Sequence, residues 1–336
     1  MPIPAVYNST LTDTRRKVDM ISLQKDAIDW ARTHNFKPAA SDTLKICLLI
    51  IDGQIDFVNS DGNLPVTGRS GHGAIDDTNR TCVLIYELMD VITRICPTLD
   101  THMLYQIFFS IAWVNDHGEH PSPGTILSEK DVKTGLWKLN PALCKEVNAP
   151  LMWLQKYCQY YTECLSATGK YALMIWPYHT MLGETGHAMN PSLYEAVFFH
   201  AVARGSQTGF QIKGGKVLTE NYSVLRPEVT QSHDGVVVGE LNVKFIENLL
   251  SHDEVWILGQ AGSHCLAWTV QDLLDIIAAK DPFLAKKVSI VTDCTSAVVI
   301  PGVADFTGPM EEAFDRFRQG GMNLVTSKEL IARFRK

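Results

Sequence analysis

Three residues with complementary chemistry stand where apolar runs give way to turns. Asp52 follows K-I-C-L-L-I-I, Lys213 closes G-F-Q-I-K, and Cys265 lies within V-W-I-L-G-Q-A-G-S-H-C-L-A-W-T-V-Q-D-L-L. A carboxylate can take a thiol proton, and a lysine cation stabilises both anions and lowers the thiol pKa. Around Cys265 the residues read as a strand from Val255 to Leu258, then a turn permitted by Gly259 and Gly262. An amphipathic helix follows, with apolar residues at Leu266, Val270, Leu273, Leu274 and Ile277. A thiol at that junction feels the positive end of the helix dipole, which favours its thiolate near neutral pH. Each residue also has a plain structural reading: a small buried cysteine, a turn-capping aspartate and a surface lysine.

The elements that position these residues alternate between strands and helices. Lys45 to Ile51 reads as a central parallel strand, Asp77 to Cys96 as a helix, and Tyr105 to Val114 as a second buried strand. Further on, Pro150 to Thr168 reads as an aromatic-rich helix and Tyr171 to Trp176 as a short strand. Helices at Ser192 to Arg204, Asn242 to Leu250 and Met310 to Arg318 alternate with strands at Gly209 to Lys213, Lys287 to Thr292 and Met322 to Val325. Such alternation predicts a mostly parallel sheet with helices on both faces, and the carboxyl ends of its strands converge on one crevice. Residues 1–44 read as an added helical extension (Asp13 to Thr33 carries the pattern). Residues 45–336 read as a single α/β domain with an insertion around 122–170. Asp56 is a weaker candidate than Asp52, and His72 reads as a solvated loop histidine. The loop at Asn115 to Pro121 holds Asp116, His117 and His120, which with His179 form a possible metal set for zinc, iron or manganese.

Bulk composition narrows the class. The 336 residues are 46% hydrophobic and 20% charged, enough to build a sizeable core. A net charge of −7 supplies no basic excess for phosphate, so neither nucleic acid nor an anionic membrane is expected as a partner. No run is long enough to span a bilayer, and M-P-I-P-A-V-Y-N-S-T lacks the pattern of a secretory signal. The eight cysteines form no C-x-x-C pair, which fits reduced thiols in the cytoplasm rather than a disulfide framework. A small-molecule substrate and a homo-oligomeric assembly are expected.

Four stretches carry a family resemblance: I-I-D-G-Q-I-D-F with D-G-N-L-P-V, then W-P-Y-H-T-M-L-G-E-T-G-H-A, then I-K-G-G-K-V-L-T-E-N-Y-S-V-L, and lastly L-G-Q-A-G-S-H-C. In this order the chain resembles the isochorismatase-like cysteine hydrolases, the superfamily that contains nicotinamidases. The resemblance implies a three-layer α/β/α fold and hydrolysis of a small amide or related C–N bond through a cysteine thioester. It implies Asp52 as general base, Lys213 as its electrostatic partner and Cys265 as nucleophile. It also implies a cis peptide before Ala261, with the N–H groups of Ala261 and Cys265 forming an oxyanion hole. Nicotinamidases carry a D-W-H-P element after the second strand, whose Asp and His hold a metal with a later His. Here F-S-I-A-W-V-N-D aligns so that Ala112 and Val114 fall at those positions; an alignment with a small insertion places Asp116 and His120 there instead. His179 matches the later histidine in both. The metal motif therefore reads as degraded, and no cofactor is assigned although a divalent metal stays open. Trp113, Trp176, Tyr178 and Tyr222 are expected to line the pocket. Vinyl-ether hydrolysis, which isochorismatases perform without the cysteine, is the alternative within the superfamily. A catalytically retired binding or assembly module, or a metal-dependent hydrolase with Cys265 as a packing residue, lies outside that mechanism.

Overall fold

The first sheet strand, β1 (Ile46–Ile51), is apolar and buried at all 6 positions. Successive strand side chains face opposite ways, so Ile46, Leu48 and Ile50 enter one core while Cys47, Leu49 and Ile51 enter another. A strand apolar on both faces must be covered on both. In the computed structural model, which describes residues 1–168 and 171–335, that requirement is met by a three-layer α/β/α arrangement. Gly169 and Lys170 of the expected insertion, and Lys336 at the end of the expected domain, lie outside the described residues.

The other sheet strands are β2 (Arg94–Asp100), β3 (Gln211–Lys213), β4 (Glu254–Gly259), β5 (Val288–Val291) and β6 (Asn323–Val325). They lie in the order β6-β5-β4-β1-β2-β3, and every pairing is parallel. The longer helices, in chain order, are α1 (Met20–Thr33), α2 (Gly73–Glu87), α3 (Leu151–Thr168), α4 (Pro191–Arg204), α5 (Val243–Leu250), α6 (Cys265–Lys280), α7 (Thr307–Gln319) and α8 (Ser327–Phe334). One face of the sheet is covered by α1, α2, α4 and α8, through residues such as Ala27, Leu84, Phe199 and Leu330. The opposite face is covered by α5, α6 and α7, through Leu249, Val270 and Phe317. Fully burying a side chain of this kind contributes roughly 1.5–3 kcal/mol, so the two interfaces dominate the stability of the sheet. Strand order reverses between β1 and β4, which opens the crevice at their carboxyl ends where α/β proteins bind ligands. Among the described residues, no helix is long and apolar enough to cross a membrane.

Local sequence explains the element ends. Asn190 accepts hydrogen bonds from the N–H groups of Ser192 and Leu193, Pro191 opens α4, and Gly205 ends it at φ 57 in the left-handed region. The segment before the sheet is tied to this helix. Leu23 and Ala27 of α1 lie in the same core as Phe199, Arg16 pairs with Glu195, and Asn190 donates to the Thr12 carbonyl at 2.8 Å.

One expected strand is elsewhere. Tyr105 to Val114 does not join the main sheet; Trp113–Val114 forms a short antiparallel ladder with Lys138–Leu139, and Phe109 makes an isolated bridge to Trp176. Ile107, Phe108, Phe109 and Trp113 are instead buried in a separate aromatic core with Leu154, Tyr157, Tyr161 and Trp176. The strand beside β1 is R-I-C-P-T-L-D, over residues where a helix was expected to end. Pro97 interrupts that run as a strand signal because it has no N–H for a ladder, yet it sits opposite Ile50 within β2. The helix expected over Asp77 to Cys96 is correspondingly earlier and shorter, ending at Glu87. Likewise Tyr171 to Trp176 contributes only Leu173–Met174, paired with Ile126–Leu127 outside the main sheet.

Candidate functional site

Four neighbouring strands deliver the charged groups. Asp52 follows β1, Asp100 ends β2, Lys213 ends β3 opposite Asp100 in register, and the turn after β4 leads to Cys265. The sequence-derived trio is therefore brought together, with a second carboxylate added. The Lys213 ammonium lies 2.9 Å from Asp52 Oδ2, 2.9 Å from Asp100 Oδ1, 2.9 Å from the Asn221 carbonyl and 3.5 Å from Cys265 Sγ. Asp52, Asp100, Lys213 and Cys265 are all buried. Asp52 adopts a left-handed backbone at φ 45, where a branched carboxylate side chain is uncommon. Its N–H donates to Thr98 Oγ1 at 3.0 Å, and the Thr98 hydroxyl donates back to Asp52 Oδ1. That reciprocal pair fixes the carboxylate with Oδ2 toward Lys213.

The turn bearing Cys265 is equally constrained. At Gly259 φ is 106, and a Cβ there would stand 2.2 Å from the Ile51 carbonyl oxygen. This close approach lets the Gln260 N–H donate to Ile51 at 2.7 Å. The Gln260 side chain donates to Asp77 Oδ2 at 2.9 Å, which anchors the turn against α2. The Gln260–Ala261 peptide is cis, as the resemblance implied. The N–H groups of Ala261 and Cys265 find no acceptor among the described residues, and both residues line the cleft above the sulfur. They are free to serve an oxyanion.

Electrostatics correct one expectation. Cys265 at the start of α6 was expected to favour its thiolate, but its pKa is well above the usual thiol value. Burial is the largest cause; Lys213 pulls the other way, and Asp52 and Asp100 add to the rise. One cation cannot offset desolvation plus two carboxylates. Asp52 is also raised, by burial first and by Asp100, against the pull of Lys213 and Thr98. For Lys213, burial favours the neutral amine, but Asp100 and Asp52 outweigh it and hold the lysine well above its ordinary value. Cys265 thus keeps its proton at rest, beside the Asp52 carboxyl group. Moving the proton from sulfur to Asp52 leaves the local charge unchanged, whereas losing it to solvent would add a third buried anion.

Beside this trio, Asp100, His102 and His179 place ligand atoms within 4.8 Å of one another, all buried. His102 Nε2 is 2.9 Å from Asp100 Oδ2, and His179 Nε2 is 3.9 Å from the same oxygen. The remaining ring nitrogens point at backbone carbonyls: His102 Nδ1 at Gly214 (3.3 Å) and His179 Nδ1 at Pro177 (2.7 Å). With its Nδ1–H donated to the Pro177 carbonyl, a neutral His179 ring turns its Nε2 lone pair toward the cluster. His179 is kept neutral, pushed down to about 4 by burial and then by His102. For Asp100, burial favours the acid, but His102 and Lys213 outweigh it and hold the carboxyl below its ordinary range. Two imidazoles and a carboxylate converging in a buried site form a donor set that suits a divalent transition metal with one position left open.

That arrangement overturns the alignment that put Ala112 and Val114, or Asp116 and His120, at the ligand positions. The D-x-H residues that stand beside His179 are Asp100, Thr101 and His102 at the end of β2. Ala112 is buried beside Trp113 in the aromatic core, Asp116 is exposed and paired with Lys138, and His120 contacts the Trp113 carbonyl. We expect purified protein to carry about one equivalent of a divalent transition metal, and His179→Ala to lose it, as read by elemental analysis. A His179→Ala protein with undiminished metal content would remove the cluster from consideration as a metal centre.

The cleft is lined by Phe57, Leu64, Val66 and Phe108 together with Trp176, Glu220, Tyr222 and His264. Trp176 and Tyr222 were expected there. Trp113 instead fills the aromatic core, and Tyr178 packs tilted against Phe109 with 40% exposure. Asp56 is a structural tie: it accepts from Asn63 at 3.0 and 2.9 Å and from the Thr180 N–H at 2.6 Å, steadying the loop that carries His179. His72 is exposed and pairs with Asp76.

The fold is that of the nicotinamidases. The structure is similar to a nicotinamidase/pyrazinamidase from Acinetobacter baumanii, with a TM-score of 0.51 and 17% identity, covering 86% of this chain and 100% of that one. It is similar to the yeast nicotinamidase, with a TM-score of 0.50 and 16% identity, covering 83% and 99%. The yeast enzyme bound to the inhibitor nicotinaldehyde matches with a TM-score of 0.51 and 16% identity, covering 84% and 99%. No family model matches the sequence, and no curated protein matches it.

Proposed function

We propose that this protein is a cysteine hydrolase that cleaves the carbonyl–nitrogen bond of a small amide. The observation that carries the reading is the buried Lys213 ammonium, 2.9 Å from Asp52 and 3.5 Å from Cys265, whose side chain lines the cleft. Asp52 takes the Cys265 proton as sulfur attacks the amide carbonyl carbon. The N–H groups of Ala261 and Cys265 hold the tetrahedral oxyanion, where losing one donor costs about 3 kcal/mol in comparable sites. As the C–N bond breaks, protonated Asp52 gives its proton to the departing nitrogen, leaving a thioester. Asp52 then accepts a proton from water, whose oxygen attacks the thioester carbon, and the thiol is regenerated with release of the acid. Lys213 keeps Asp52 ionised between these steps. Asp100, His102 and His179 would hold a divalent metal that supplies a Lewis-acid contact for a donor atom of the substrate.

The fold-level neighbours are nicotinamidases and pyrazinamidases, so nicotinamide and pyrazinamide are the first amides to try. Ammonia release over a panel containing these two, benzamide and short aliphatic amides tests the reading. Turnover of at least one amide is expected, with loss of activity when Cys265 is removed. Failure on the whole panel with metal-replete protein would overturn it.

A further inference from the structure

The mechanism leaves one buried acid of the cleft unused. Glu220 is 4% exposed and follows β3 in the stretch T-E-N-Y-S. Its Oε1 accepts from the Tyr222 hydroxyl at 2.8 Å and the Trp176 indole N–H at 3.4 Å. Its Oε2 accepts from the Tyr161 hydroxyl at 3.1 Å. A carboxylate offers about four acceptor positions, so these three donors leave room for one more. Among the described residues, the donors around it are hydroxyl and indole groups, not a Lys or Arg side chain.

The wall around Glu220 is aromatic. Trp176 and Tyr222 both donate to it, and both also touch the His264 ring, at centroid distances of 5.7 and 5.6 Å. His264 does not supply the missing charge. Ser263 Oγ accepts from the Val298 N–H at 3.0 Å and lies 2.8 Å from His264 Nδ1, and burial pushes the imidazole down to about 3. A neutral histidine and two aromatic rings beside a carboxylate make a surface that favours positive charge, through the ring faces and through the acid.

We propose that Glu220 determines specificity: with Trp176 and Tyr222 it forms a carboxylate–aromatic subsite for a protonated amine on the acyl part of the substrate. This rests on the amidase reading of the same cleft. The Glu220 carboxylate takes its hydrogen bonds from Tyr161, Trp176 and Tyr222 and not from Asp52, Lys213 or Cys265, so the subsite is assigned to binding rather than to bond breaking. Burial first, with Glu228 adding, pushes the acid up to about 7, against hydrogen bonds from Tyr222, Tyr161 and Trp176. The other titratable groups packed around it are Tyr161 on α3, Tyr222, and His264 through the rings. Both tyrosines are held well above their ordinary values by burial and by Glu220, so they stay neutral donors.

The test compares benzamide with 3-(aminomethyl)benzamide, which share the scissile amide and differ by a cationic amine. In the wild-type holoenzyme the cationic amide should have at least a tenfold lower KM, and its KM should rise as pH falls below about 7 while that of benzamide stays flat. Glu220→Gln keeps the shape and most hydrogen bonds. It should erase the tenfold preference and the pH dependence of KM. Equal KM values for the two amides in wild type, or an equal loss on both in Glu220→Gln, would overturn the subsite. If Glu220→Gln melts early, the wild-type pH comparison still decides. If no amide is hydrolysed, calorimetric titration of the two amides into the wild-type protein separates the two ideas. Preferential binding of the cation keeps the subsite and discards the amidase, and equal or no binding discards both.

Discussion

Replacing Cys265 by alanine is expected to lower amide turnover by at least about 10³-fold, with thermal melting close to wild type. The change removes only the sulfur from a residue whose partners are the Lys213 ammonium and the Asp52 carboxylate. It takes no cation from the site and leaves Asp52, Asp100 and Lys213 in contact with one another. A metal-dependent hydrolase that uses this cysteine for packing would keep its turnover, so the variant discriminates sharply between the readings. The pH profile adds a second arm. The proposed mechanism uses Asp52 as the carboxylate, and burial followed by Asp100 raises Asp52 against the pull of Lys213. The acid limb of kcat/KM should therefore fall above the ordinary carboxylate value of about 4, and Asp52→Asn should abolish activity rather than displace the limb. Intact mass measurement during turnover should show one acyl group added to wild type and none added to Cys265→Ala. Full turnover by the alanine variant would end the thioester mechanism.

What the sequence shows of this site follows from where each residue sits. Asp52 and Cys265 stand beside long apolar runs, I-C-L-L-I-I and V-W-I-L, whose strand character is plain from composition, so the residues after them read as strand ends. Lys213 is legible from a shorter run followed by two glycines. Asp100 and His102 are not, because Pro97 sits within their strand while the more apolar Y-Q-I-F-F-S-I-A-W-V nearby reads as the better strand. That richer run is apolar for another reason. It builds the aromatic core shared with α3 and Trp176, which periodicity alone does not distinguish from a sheet core. The usable signal was D-T-H itself, at the end of an apolar run that tolerates one proline. Glu220 had no such signal, because only the fold brings it beside Trp176 and Tyr161, which lie 44 and 59 residues away in sequence. The two-faced core and the parallel layering were legible, since they follow from strands that are apolar on both sides.

Lys213→Met should produce the largest combined loss, in stability and in activity together. In the native protein two buried carboxylates face one ammonium, with Asp52 Oδ2 and Asp100 Oδ1 each 2.9 Å from it. Removing the cation leaves both charges without compensation, and breaking a buried pair in this way costs about 3–5 kcal/mol. Two responses are open to the site: keep both anions at that cost, or protonate one carboxylate. Protonation falls on Asp52, because Asp100 still has His102 within 2.9 Å whereas Asp52 keeps only Thr98. An Asp52 already carrying a proton cannot accept the one on Cys265, so turnover should fall with stability. The sign with pH is fixed by the same argument. In wild type the depressed Asp100 contributes stability that is present above its unfolded value of about 4 and fades as pH falls below it. In Lys213→Met the raised carboxylate does the reverse, destabilising most at high pH and less as acid neutralises it. The gap in melting temperature should therefore be widest near pH 8 and narrow toward pH 5. Both proteins are compared after chelation, so that no metal on Asp100 masks the missing lysine. Adding Asp52→Asn to Lys213→Met should recover part of the stability and none of the activity, since it removes the repulsion without restoring a base. A Lys213→Met protein that melts and turns over like wild type at pH 8 would show that the ammonium holds neither carboxylate in place.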